Sequence, residues 1–326
     1  MLTHLVFSGS NIWGITYIGV LRYLYINKLH LDIKDVAGTS FGSIIALVFA
    51  LKVDIEIIEK GFYDYANDDE LITISKSLFS NIFDKLGFDN VFKYLKYFQE
   101  YIKDKYKKDD FTFLEVSKIF GINLHINTLC VNDGKNVIFN IENTPNISVF
   151  SACAASMALP IIYQPIKIED KLYIDAGLIT NVLYDQFKNV PKESILLVIK
   201  NLNNKSILET DKCTLVPYII QIVSIHLENF NYYATGQYID DKKALCITIE
   251  DVSLDMTTDI TNDGITQKIT KEKIDNCVLY GYRRAYELFE KGVNELSNWF
   301  SYVDAFDISI FTYEYDINNV LICWHI

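Results

Sequence analysis

Proline is scarce in this chain, 5 among 326 residues, and no Gly- or Ser-rich stretch interrupts it. Without a visible linker, one large domain carrying insertions is favoured over two small ones. Basic residues are outnumbered: 30 Lys and Arg stand against 42 Asp and Glu, for a net charge of −12. That balance argues against nucleic acid as the main partner and against simple adsorption to an anionic membrane. Long apolar runs are missing as well. The longest, near residues 43–51 and 216–225, fall short of the ~20 residues that span a bilayer. The first residues lack a charged n-region, an apolar core and a small-residue cleavage site, so no signal peptide is expected. The six cysteines (Cys130, Cys153, Cys213, Cys246, Cys277 and Cys323) lie far apart with no C-x-x-C pair. They read as reduced core thiols rather than a disulfide framework or a zinc site. The expectation is a soluble, cytoplasmic chain that meets membranes only peripherally.

Apolar residues, by contrast, are plentiful. They make up 50% of the chain, and mean hydropathy is +0.13, which provides for a large core and argues against general disorder. Residues 4–7 read as a short buried strand followed by the loop Ser8-Gly9-Ser10-Asn11. Tyr17, Val20, Leu21 and Leu24 then recur at helical spacing. A second strand over 33–37 and a second helix over 44–51 complete a strand–helix–strand–helix opening, the pattern of a parallel sheet covered by helices. Residues 54–108 are aromatic, charged and helical in period, an expected insertion. Their cluster Lys103, Lys105, Lys107 and Lys108 is diluted by Asp104, Asp109 and Asp110, so it reads as a solvated helix end rather than a membrane patch. Further strands are expected at 123–131, 136–141, 172–174, 195–199 and 245–249, and helices at 149–158, 216–229 and 271–290. In the tail, 311–315 and 320–324 are candidate strands.

Between the second strand and helix stands Gly38-Thr39-Ser40-Phe41-Gly42, a G-x-S-x-G pentapeptide. Strand, sharp turn, helix is the setting that forces a serine into a strained backbone and exposes its hydroxyl. At Gly38 and Gly42 a Cβ would crowd the turn or block the helix from packing on the strand. A serine nucleophile needs a base and oxyanion donors. Of the five histidines (His4, His30, His125, His226 and His325), none has the loop setting after a strand that marks a triad histidine. The other candidate base is Asp175, which ends an apolar strand and precedes Ala176 and Gly177. Small residues there let a neighbouring backbone come close, although a strand-terminal Asp before Gly can equally be a plain turn.

Several ordered blocks are similar to patatin-like phospholipases. They are Leu5-Val6-Phe7-Ser8-Gly9-Ser10-Asn11-Ile12-Trp13-Gly14, Ile18-Gly19-Val20-Leu21 and Ala37-Gly38-Thr39-Ser40-Phe41-Gly42-Ser43. Downstream follow Phe113-Leu114-Glu115-Val116, Asn143-Thr144-Pro145, Ala155-Ser156-Met157-Ala158-Leu159-Pro160 and Tyr173-Ile174-Asp175-Ala176-Gly177-Leu178-Ile179-Thr180-Asn181. The resemblance covers about residues 4–185, with a weaker echo at Gly281-Tyr282-Arg283-Arg284-Ala285. It implies an α/β, three-layer fold with a mainly parallel central sheet flanked by helices. The domain would span 1–292 with its helical insertion near 54–108, leaving 293–326 as an extension of unknown role. It also implies a Ser-Asp dyad needing no metal or cofactor, with Ser40 as nucleophile and Asp175 as general base. The backbone N–H groups of Gly9, Ser10 and Asn11 would form the oxyanion hole, with Gly14 supporting the loop. The substrate would be a phospholipid or neutral lipid, met through transient contact with a membrane surface.

The chain departs from the family's G-G-G-x-R/K-G loop by carrying Ser10 and Asn11 for two glycines and Trp13 for the basic residue. This motivates the alternative of a catalytically weak or inactive relative that binds lipid or protein. A third reading, a phosphate loop over 9–16, is disfavoured because Ile15 stands where the lysine should be.

Overall fold

The computed structural model describes residues 1–66, 73–75, 81–187, 189–200, 218, 221–223, 225–226, 244–249, 258–261, 264–267 and 269–291. Its first fifty residues alternate strand and helix, β1 (His4–Phe7), α1 (Thr16–Ile26), β2 (Asp35–Thr39) and α2 (Phe41–Ala50), and the helices α3 (Ile55–Ala66), α4 (Lys96–Tyr106) and α5 (Phe113–Phe120) follow. There follow β3 (Asn123–Cys130), β4 (Lys135–Phe139), α6 (Val149–Met157), β5 (Ile166–Ile168), β6 (Lys171–Asp175), β7 (Ile195–Lys200), β8 (Leu245–Ile249) and α7 (Lys271–Tyr286). These elements belong to a compact unit spanning residues 1–292. The candidate strands of the tail lie outside the described residues, as does most of the expected helix at 216–229. No helix among the described residues is long and apolar enough to cross a membrane.

The eight strands form one mixed sheet in the order β8-β7-β1-β2-β3-β6-β5, with β4 also pairing β3. Neighbours from β8 to β3 run parallel, whereas β4 and β6 are antiparallel to β3, and β5 to β6. The expected parallel sheet is therefore its central part, with an antiparallel flank. Strand β7, Ile195–Lys200, is buried along its whole length, as a strand covered on both faces must be. One face of β1, β2 and β7 presents Val6, Ala37 and Leu197 to Val182, Leu183, Tyr184 and Phe187. The helix α2 has no polar face to turn outward: Gly42 through Ala50 are all buried.

Two glycines fix how the end of this unit closes on its beginning. A Cβ on Gly19 of α1 would lie 1.8 Å from the Val278 carbonyl oxygen of α7, and one on Gly281 would lie 1.8 Å from the Thr16 carbonyl oxygen. The two helices thus cross backbone against backbone, and a methyl group has nowhere to go. Gly19→Ala is expected to cost about 3 kcal/mol or more in urea unfolding. An unchanged midpoint would show that the crossing is looser than this.

The 54–108 insertion is mostly helical, but it also holds two short strands absent from the sequence expectation. Gly87–Asp89 pairs in parallel with Ile161–Tyr163, and Thr73–Ser75 joins the hairpin of Thr258–Thr261 and Gly264–Gln267. Three-residue strands are too short to leave a period, and their partners lie far along the chain. The basic cluster at the end of α4 is locally neutralised: Lys103 meets Asp109 at 2.7 Å, Lys105 meets Asp54 at 3.7 Å, and Lys108 pairs with Glu115. Glu115 also completes a capping box with Thr112, which starts α5 and accounts for the Phe113-Leu114-Glu115-Val116 block.

Candidate active site

Ser40 stands between β2 and α2 with φ 52° and ψ −129°, a backbone conformation that a side chain makes costly. The surrounding glycines make the turn possible. A Cβ on Gly38 would lie 2.4 Å from the Gly42 carbonyl oxygen, and one on Gly42 would lie 2.4 Å from that of Ser8. Polar groups then hold the Ser40 peptides on both sides. The Ser40 carbonyl accepts the Ser43 N–H at 2.8 Å and the Ser43 hydroxyl at 2.6 Å. With that proton spent, the Ser43 oxygen accepts from the Cys153 thiol, 3.1 Å away. The Ser40 N–H donates to Ser156 Oγ at 2.9 Å, and the Ser156 hydroxyl donates to the Asn127 carbonyl at 2.6 Å.

Strand register brings the carboxylate to the serine. Thr39 of β2 is level with Asn127 of β3, and the next residue, Thr128, is level with Asp175 of β6. Asp175 is buried, 4% exposed, with the Ser40 side chain beside its carboxyl group. The Gly177 N–H donates to its Oδ1 at 2.8 Å, across the short 3-10 turn Ala176–Leu178. Burial pushes the Asp175 carboxyl up to about 6, with the nearby Ser40 and the Gly177 N–H opposing the shift.

Gly9 abuts this pair. A Cβ there would meet Asn181 Oδ1 at 2.3 Å and Ser40 Cβ at 3.1 Å. The Asn181 amide donates to the Gly9 carbonyl at 3.0 Å, and the Gly9 N–H reaches the Asn181 carbonyl at 3.4 Å. Of the two residues replacing glycines, Asn11 takes positive φ (51°), whereas Ser10 sits at −152°. The left-handed position thus falls on the residue type that better tolerates it. The Asn11 side chain accepts the Ile12 N–H at 2.8 Å, and a 3-10 turn, Asn11–Ile15, follows. Gly14 is pressed against Phe41, whose ring carbon would lie 2.0 Å from a Cβ. Where the loop carries Trp13 instead of a basic residue, Lys200 at the end of β7 brings its ammonium to 5.2 Å from the indole ring. Burial pushes the Tyr17 phenol well above its usual range, and its oxygen lies 2.9 Å from Ser8 Oγ at the base of the loop.

The described histidines stand in other settings. His125 and His4 face Asp35, at 3.1 and 3.6 Å, where the parallel strands begin rather than where they end. Desolvation, the largest single influence, is outweighed by the hydrogen bonds from His125 and Asn123, which hold the Asp35 carboxyl below its usual value. His30 stacks on Tyr25, and His226 is 3.1 Å from the Leu178 carbonyl. His325 lies outside the described residues. Cys130, Cys153, Cys246 and Cys277 are buried free thiols, and among the described residues no three His, Cys, Asp or Glu side chains are grouped to hold a metal ion. Sequence reasoning gave no separate role to Ser43, Ser156 or Asn181. All three were marked only by falling inside the ordered blocks.

Fold and site together define an α/β protein whose serine elbow, at the carboxyl ends of parallel strands, is closed by a buried carboxyl group. A model of the patatin-like phospholipase family matches residues 5–188. The chain is 27% identical over 263 residues to the uncharacterized protein R571 of Acanthamoeba polyphaga mimivirus, covering 77% of this chain and 85% of that protein. It is 29% identical over 209 residues to the probable lipid hydrolase 463L of Invertebrate iridescent virus 6, covering 61% of this chain and 69% of that one. Among solved structures, VipD from Legionella pneumophila shares the fold with a TM-score of 0.53 at 15% identity, over 89% of this chain and 67% of that one. This chain belongs to the patatin-like phospholipase family.

Proposed function

We propose that the protein hydrolyses carboxylic esters of lipids, of the phospholipase A type or more generally, through an acyl-serine intermediate. The observation that carries the reading is the strained Ser40 together with the strand register that sets the buried Asp175 beside it. Ser40 Oγ attacks the acyl carbonyl while its proton passes to Asp175. A carboxyl group raised to about 6 is a stronger base than an ordinary aspartate, yet is mostly ionised at neutral pH. The oxyanion would be held by the amides of the loop Gly9-Ser10-Asn11 and the positive end of α2. As the tetrahedral intermediate collapses, the leaving alcohol takes the proton from Asp175. Water then attacks the acyl group with Asp175 again as base, releasing the fatty acid and restoring Ser40.

The test is release of free fatty acid from vesicles of mixed phospholipids, and of fluorophore from short acyl esters, by the full chain beside Ser40→Ala. Wild-type turnover above that of the variant is expected; equality would overturn the reading. The Gly9 N–H turned toward the Asn181 carbonyl favours a second reading, a catalytically weak family member that binds lipid or protein. Fluorophosphonate labelling of Ser40 separates the two, since a serine that is not activated does not label.

A further inference from the structure

Ser40 cannot hold its own conformation. At φ 52° and ψ −129° a serine backbone relaxes unless its neighbours over-determine it. Its carbonyl is held from within α2 by Ser43, so that restraint travels with the helix. Its N–H is held from outside the elbow, by the hydroxyl of Ser156 at the end of α6. Ser156 is wholly buried, and its hydroxyl is fully used: one bond accepted from Ser40 and one donated to Asn127 of β3. Two residues further on, the Ala158 carbonyl accepts the Asp175 N–H at 3.0 Å. The same short segment therefore grips the backbones of Ser40 and Asp175, from different parts of the sheet.

We propose that Ser156 is a positioning residue for the reaction. Through its hydroxyl, residues 156–158 set the separation and orientation of Ser40 relative to Asp175. The inference rests on the acyl hydrolase reading above and adds to it the part that fixes its geometry. Without the hydroxyl, the Ser40 N–H and the Asn127 carbonyl are both left buried without this bridge, and the elbow is free to relax. Reaction rates fall steeply when reacting groups move by a fraction of an ångström, whereas binding of a small ester does not depend on that alignment.

The experiment compares fluorophosphonate labelling rates and ester kinetics for the wild type, Ser156→Ala and Val116→Ala, a buried core truncation in α5 that serves as the destabilised control. Ser156→Ala is expected to lower kcat and the labelling rate about 10- to 100-fold with KM changed less than about threefold. Val116→Ala is expected to lower Tm without slowing either rate in the folded protein. Ser156→Thr and Ser156→Val provide a second comparison, since they add the same bulk and differ in the hydroxyl alone. The threonine variant should label at least about tenfold faster than the valine. A wild type that labels while Ser156→Ala labels equally fast overturns the positioning role alone. Equal labelling of the threonine and valine variants does the same. A wild type that neither labels nor turns over ester overturns the hydrolase reading, and the positioning role with it.

Discussion

Replacing Ser40 with alanine should reduce ester turnover to about a thousandth of wild type or less, and abolish fluorophosphonate labelling. The size of the effect follows from what is removed. Among the described residues no other nucleophile stands at the elbow, so what remains is whatever catalysis binding and oxyanion donors give to water. The fold should not suffer. Alanine keeps the Cβ and the backbone bonds to Ser43 and Ser156, so Tm should stay within about 2 °C. Ser40→Gly should be equally inactive but more stable, by about 1 kcal/mol, because glycine occupies φ 52° without penalty. Thermal denaturation of the two variants would read that strain directly. A glycine variant no more stable than the alanine variant would mean the turn is not strained.

Asp175→Asn should remove activity almost as completely, about a thousandfold, because the isosteric amide accepts no proton from Ser40. The wild-type pH profile carries the same information. The base must be ionised, so kcat/KM should fall as pH drops through about 6. A limb near the ordinary carboxylate value, or none, would point away from Asp175. The stability effect has the opposite sign. The native carboxyl holds its proton up to about 6, whereas the unfolded one releases it near 3.8. Between those values the native state binds more protons, so this group's contribution to stability declines as pH rises through the window. Above it the buried charge costs about 3 kcal/mol. The asparagine variant should therefore be inactive yet melt several degrees higher at pH 8, with the gain shrinking toward pH 4.

Much of this site was legible because its chemistry is local. The glycines at 38 and 42, the apolar run into Ser40 and the apolar helix after it lie within one short stretch, and the structure explains each by close backbone contact. The strand does begin two residues later than expected, at Asp35, and the helix three residues earlier, at Phe41. Asp175 at a strand end was also visible, but its proximity to Ser40 was not. That depends on β6 pairing antiparallel with β3, and pairing direction leaves no trace in a strand's own periodicity. The same reason hid Ser156, a small residue in a small-residue helix whose use is set by elements far away in sequence. The loop shows a finer limit. Asn tolerates positive φ better than Ser, but the sequence does not say which of the two glycine replacements takes it; only Asn11 does.

The crossing of Gly19 and Gly281 also orders the protein's assembly in time. Helix α1 ends at Ile26, and its backbone partner does not begin until Lys271. A nascent chain therefore carries a finished serine elbow long before it carries the element that seals the first helix. Until that point the face of α1 that meets α7 lacks its native partner, although β7 and β8 have by then extended the sheet beside β1. Pairings so distant along the chain make folding slow and leave the intermediate prone to association. The serine of the elbow is made well before Asp175, and both are made well before the helix that closes over α1.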